Sequence, residues 1–287
     1  VTQALPVAAL VAMAGLVLVA LPRIMARRPG WRRAPRPALV VWQAVSLAGV
    51  VAALGAAPAA IPLVTDEYSG PHLLVVGVAV AVSVFMLARL LLSGHRVGRR
   101  LREVRRQHRE LVDLIGLRDD RLGTHARVLA HPSPSAYCVP GQNGRMVLTE
   151  GALAALTPGE LTAVLEHERS HLRARHDLVL EFFTVLHESV PARVRSSAGM
   201  GEVRLLVEVL ADRRAVSRTD PVTVGRALVR LAEVPAADGL LGASAGTAAT
   251  RIALLDNRAA GWMAPVMYAF GVLALATPVV LLVIAWH

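Results

Sequence analysis

Four stretches of the chain run without a charged side chain: residues 4–21, 37–65, 71–88 and 259–286. About 18 or more apolar residues suffice to span a bilayer as a helix, so each predicts a transmembrane segment. The spans are placed at about 4–21, 38–57 and 71–92 within residues 1–93, with the fourth inside 259–287. Trp42 sits near one end of the second, where an interfacial anchor belongs, and Pro58 and Pro62 are expected to end that helix. From 94 to 117 the pattern changes. Leu101, Val104, His108, Leu111, Val112, Leu114 and Ile115 recur at roughly helical spacing among arginines, which predicts a basic amphipathic helix continuing from the third span.

Residues 118–258 are mixed in polarity and long enough for one core. Short strands are expected at 127–130, 136–139 and 146–149. The Pro140-Gly141-Gln142-Asn143-Gly144 turn makes a hairpin of the last two. Helices follow. Thr157 as cap, Pro158 at the first helical position and Glu160 three residues after the cap mark the start of one that runs to about Arg175. Further helices are expected at about 178–187, 202–217 and 222–234, with a short closing helix at 250–257. Ser196–Gly201 and Ala236–Thr250, rich in Gly, Ala and Ser, read as flexible loops.

Composition sharpens this picture. Of 287 residues 54% are hydrophobic, with mean hydropathy +0.50, too apolar for an ordinary soluble domain. The net charge of +10 comes from 31 basic residues, every one Arg, which crowd beside the apolar runs at Arg23–Arg36 and Arg89–Arg109. By the positive-inside rule those clusters face the cytoplasm. The expected topology has the N- and C-termini and the short acidic loop 66–70 outside a plasma (inner) membrane, the first span uncleaved, and residues 118–258 cytoplasmic. Aromatic residues make up only 4% and do not interleave with the arginines, which argues against direct nucleic-acid binding. The basic helix is expected to meet anionic lipid headgroups instead. The lone Cys138 has no disulfide partner within the chain and reads as a small buried hydrophobe.

The candidate chemistry lies in the helix after the hairpin. His167 and His171, four apart, share one face and can present two imidazoles to one metal ion. Glu168 is rotated off that line, placed to act as a base on a metal-activated water. A catalytic zinc takes three protein ligands and keeps an open position. Glu208 is the candidate third ligand. Asp212, one helical turn on, is the candidate carboxylate to orient a ligand histidine through its other N–H. A solvated face pairing with Arg204 or Arg213 is the plainer reading of those two acids taken alone. His176 fits a place near the cleft and a helix-end surface role equally, and His187 reads as a structural histidine before a transition-state donor. His72, His95, His108, His125 and His131 lack ligand spacing.

Thr157–Leu161, Leu165–His171, His176 and Glu208–Asp212, together with Ala136–Gly141 and Arg251-Ile252, resemble the BlaR/MecR-type integral-membrane metallopeptidases and their HtpX-like relatives, of gluzincin type. The resemblance implies an α-helical membrane protein of about four transmembrane helices, with a soluble α+β zinc peptidase domain (118–258) inserted between the third and fourth spans. It implies zinc on His167, His171 and Glu208, with Glu168 as catalytic acid/base. BlaR-type receptors carry a penicillin-binding sensor after their last span. The sequence ends at His287, so a peptidase without that sensor is expected.

The leading expectation is a zinc endopeptidase acting on a cytoplasmic or membrane protein, a transcriptional repressor in a signalling pathway being one such substrate. The substrate is expected to lie extended on an edge strand at Met146, Val147 and Leu148. The alternatives are an HtpX-like quality-control protease, and a non-catalytic signalling or scaffold protein whose structural zinc is closed by His176 or Asp212.

Overall fold

The computed structural model describes residues 4–65, 70–119, 121–123, 125–141, 144–232, 242–257 and 259–287. In chain order it contains α1 (Ala4–Gly15), a π-helical turn at Leu16–Ala20, α2 (Leu21–Ala26), α3 (Pro35–Ala59), α4 (Pro62–Thr65) and α5 (Gly70–Ile115). Strands β1 (Leu117–Arg118), β2 (Ala126–Leu129), β3 (Ala136–Val139) and β4 (Arg145–Thr149) come next. Then follow α6 (Glu150–Ala155), α7 (Pro158–Arg173), α8 (His176–Ser189), α9 (Ser197–Val216), α10 (Pro221–Ala232), α11 (Gly242–Leu254) and α12 (Met263–Ile284). Residues 66–69 of the acidic loop expected at 66–70, turn residues Gln142 and Asn143, and residues 236–241 of the expected glycine-rich loop lie outside the described residues, while Gly70 opens α5.

Two compact units divide the chain. One comprises Val1–Val97, Phe182–Val203 and Ala259–His287, the other Gly98–Glu181 and Arg204–Arg258. In the first, the helical segments Ala4–Ala26, Pro35–Val64 and Met263–Ile284 are long and apolar enough to cross a membrane. So is His72–Ile115, which runs on into the second unit. Small residues let these helices approach closely. A Cβ on Gly49 would lie 2.7 Å from Val17 Cγ1, and one on Gly271 would meet Ala44 at 3.5 Å. α3 ends at Ala59, with Pro58 in its last turn and Pro62 opening the separate α4, so the helix stops between the two prolines as expected.

Residues 197–201, expected as a loop, form the start of α9. Ser196 Oγ accepts from the Ala198 N–H at 3.4 Å, and Gly199 lies where a Cβ would meet the Trp42 ring at 3.1 Å. This glycine serves close approach, which sequence reasoning took for flexibility.

The second unit is built on a four-stranded sheet of order β1-β2-β4-β3. β3 and β4 form the expected antiparallel hairpin, while β2 pairs with β4 in parallel. β4 is therefore central, and its residues are buried from Met146 onward. Alternation along it serves two layers. Met146 and Leu148 pack with Leu122, Ala126, Val128 and Leu165, and so bind the sheet to α7. Val147 points the other way, onto Val112 of α5 and Val139. Ala163 of α7 packs with Ala215 of α9 and Val224 of α10, and Leu254 of α11 with Leu205 and Val209 of α9. α11 starts at Gly242, so residues 242–250, expected as a loop, are helical.

Candidate metal centre

α7 is fixed at its start by a complete capping box. Thr157 Oγ1 accepts from the Glu160 N–H at 3.4 Å, and Glu160 Oε2 accepts from the Thr157 N–H at 2.9 Å. Pro158 occupies the first turn, where its missing N–H costs nothing. With Leu165 seated on the sheet, the helix register places His167, Glu168 and His171 together beside α9, which supplies Glu208 and Asp212.

Three donor side chains converge there. His167 Nε2 and His171 Nε2 are 3.1 Å apart, His167 Nε2 is 3.4 Å from Glu208 Oε2, and His171 Nε2 is 3.5 Å from Glu208 Oε1. An ion with bonds of about 2.0–2.1 Å in tetrahedral geometry sets neighbouring donors roughly 3.3–3.4 Å apart, so the spacing fits one zinc-sized cation. Two imidazoles and a carboxylate are also the donor chemistry that zinc accepts. The three side chains are half-buried, which leaves the cluster reachable from solvent, whereas Glu168 beside them is only 9% exposed.

Behind the cluster stands a layer of buried polar groups. His167 Nδ1 is 2.9 Å from Asp212 Oδ1, an arrangement that holds the imidazole with Nε2 turned to the cluster. Asp212, 1% exposed, also accepts from Arg251 Nε at 2.8 Å and Nη2 at 2.6 Å, and Arg251 Nη1 lies 3.1 Å from Glu208 Oε2. His171 is held differently: its Nδ1 is 3.0 Å from Nδ1 of the buried His176. On β3, Cys138 lies beside Glu168, close enough for each to shift the other's proton affinity.

These contacts set the charges. Burial works against a proton on His167, but hydrogen bonds to Asp212 and Glu208 outweigh it and raise the group to about 10. Burial and the adjacent His167 charge push His171 down to about 4. Burial likewise opposes the Glu208 charge, yet His167, His171 and Arg251 hold its carboxyl at about 2. Asp212 is lowered against its burial by Arg251 and His167. Glu168 moves the other way, raised mainly by burial, and the Cys138 thiol is pushed up by burial and the neighbouring Glu168. A cation among the three residues would take the place of the Nε2 proton that His167 shares with Glu208, leaving the Nδ1 proton hydrogen-bonded to Asp212, since metal ligands must give up the proton on the coordinating atom.

His167, Glu168, His171, Glu208 and Asp212 thus come together as their spacing suggests. The expected substrate strand does not stand at an edge. Met146, Val147 and Leu148 lie on β4, whose ladder bonds go to β2 on one side and β3 on the other, so no further strand can add there. The hairpin was readable from its turn, but the parallel pairing that buries β4 leaves no local signal. His187 belongs to the unit of apolar helices, where it lines a cavity with Trp42, Phe183 and Leu186.

Three contributors escaped sequence reasoning as to role: Cys138, His176 and Arg251. His176 stands five residues after His171, off the shared face of a continuous helix. Arg175, at φ 50°, ends α7 and turns the chain so that His176 folds back behind His171. Arg251 could be singled out only through the family resemblance, because nothing in spacing ties it to Asp212.

Residues 99–219, less than half of the chain, match the family model of peptidase family M48. No curated protein and no solved structure gives a match. The family match supports a metallopeptidase, and the His-His-Glu cluster inside the matched segment is compatible with the zinc that such peptidases generally carry. The apolar helices are compatible with a membrane protein.

Proposed function

We propose that the protein is a membrane-embedded zinc endopeptidase of BlaR/HtpX-like type whose site faces the cytoplasm. The observation that carries this reading is the triangle of His167 Nε2, His171 Nε2 and a Glu208 oxygen, with the buried Glu168 carboxylate beside it. A bound zinc supplies Lewis acidity, which polarises the scissile carbonyl and makes the attacking water more acidic. Glu168 accepts the water proton and passes it to the leaving amine. Burial raises its proton affinity toward the working range of such a base.

The substrate runs extended along β3, which ends the sheet, with its outer edge unpaired among the described strands. A peptide added there passes Cys138, and so passes the base. The scaffold alternative requires a fourth protein ligand. Among the described residues the cluster has three, Asp212 being committed to His167 and Arg251, and His176 facing Nδ1 of His171.

Glu168→Gln is expected to abolish cleavage while zinc content, measured by metal analysis, stays near one per chain. Retained cleavage would sink the mechanism. Proteins that accumulate in cells carrying that variant identify the substrate class: a single repressor marks a signalling protease, many damaged membrane proteins a quality-control enzyme.

A further inference from the structure

Arg251 lies on α11, beyond the segment that matches the peptidase family, yet it is 7% exposed and touches two carboxylates of the centre at once. Its Nε and Nη2 form a fork on Asp212, and Nη1 reaches Glu208 Oε2 at 3.1 Å. A buried ion pair that served only to neutralise Asp212 would need the fork alone. The third contact has a separate consequence. Both oxygens of Glu208 face the cluster, Oε2 at 3.4 Å from His167 Nε2 and Oε1 at 3.5 Å from His171 Nε2, but Oε2 already takes the guanidinium, so Oε1 is the one with its lone pairs left for a cation. A carboxylate held to one donor oxygen keeps the fourth position open for water, which separates a catalytic zinc site from a closed one.

We infer that Arg251 is the positioning residue of the centre: by gripping Asp212 and Glu208 together it aligns His167 and restricts Glu208 to one-oxygen ligation. Metal affinity and coordination number therefore depend on α11. The planar guanidinium suits this task, since its donors are fixed in one plane and can serve two carboxylates. Lysine, a point charge, serves one well. The inference rests on the zinc peptidase reading.

The test uses the full chain in detergent, with zinc affinity read by competition against a fluorescent chelator and geometry by the visible spectrum of the cobalt(II)-loaded protein. Arg251→Met is expected to weaken zinc binding about 10- to 100-fold. It should also dim the cobalt bands as Glu208 turns bidentate and coordination rises. Arg251→Lys should restore part of the affinity. Unchanged affinity and an unchanged cobalt spectrum in Arg251→Met, beside a wild type that binds zinc, overturn the inference. If both variants fail to fold, Arg251 belongs to the scaffold and the inference is likewise overturned. If the wild type takes up no stoichiometric zinc, or His167→Ala binds it equally well, the peptidase reading itself fails.

Discussion

At the scale of single residues, the two histidines of the cluster are secured by unlike partners. Asp212, backed by Arg251, fixes His167, while a second imidazole, His176, fixes His171. For His171 to turn a lone pair toward a cation, its Nδ1 must carry the proton and His176 must accept it. His176→Leu removes the acceptor and is expected to lower zinc affinity about 10- to 100-fold in the chelator competition. His176→Asp should recover it, because a carboxylate accepts the same N–H. Equal loss in both variants would reduce His176 to a packing residue. His167, Glu168 and His171 were legible in the sequence because a helix converts a four-residue spacing into one face. His176 was not, because the interruption at Arg175 breaks that periodicity.

Among the elements, α7 and the segment that precedes it carry the site's precision. The capping box at Thr157 was readable from the order of residue types, and its loss has a measurable size: Thr157→Ala should cost about 1 kcal/mol in thermal unfolding of the metal-free protein. Gly151, in the first turn of α6, is a sterner constraint. A Cβ there would stand 2.0 Å from the Pro132 carbonyl oxygen, and its N–H donates to the His131 carbonyl at 3.0 Å. Gly151→Ala forces backbone apart and should destabilise by about 1–3 kcal/mol. A near-neutral result by the same melt would mean that the loop at Pro132 yields. Neither the Gly151 contact nor the packing of Gly199 on Trp42 is visible in sequence, since glycine chosen for closeness and glycine chosen for freedom look alike. The central place of β4 was hidden for a related reason. Two strands joined by a turn announce themselves, but a parallel partner is fixed by tertiary packing.

For the whole molecule, hydrophobic run length was the most legible signal, and the helical segments Ala4–Ala26, Pro35–Val64 and Met263–Ile284 largely coincide with the charge-free runs, Arg23 and Arg36 alone intruding near their ends. Arginine clusters then set the proposed topology. In a Cys138→Ser background, cysteine introduced at Arg28 should react with a membrane-impermeant thiol reagent in inverted vesicles and stay silent in intact cells. The opposite pattern would place the peptidase outside. Arg251 also gives the order of the chain a meaning in time. Translation delivers His167, His171, Glu208 and Asp212 before α11, so a nascent chain carries the proposed ligands and their carboxylate support without the arginine inferred to align them. On the proposed reading, such a chain is blunt until the stretch around residue 251 has emerged and folded onto α9.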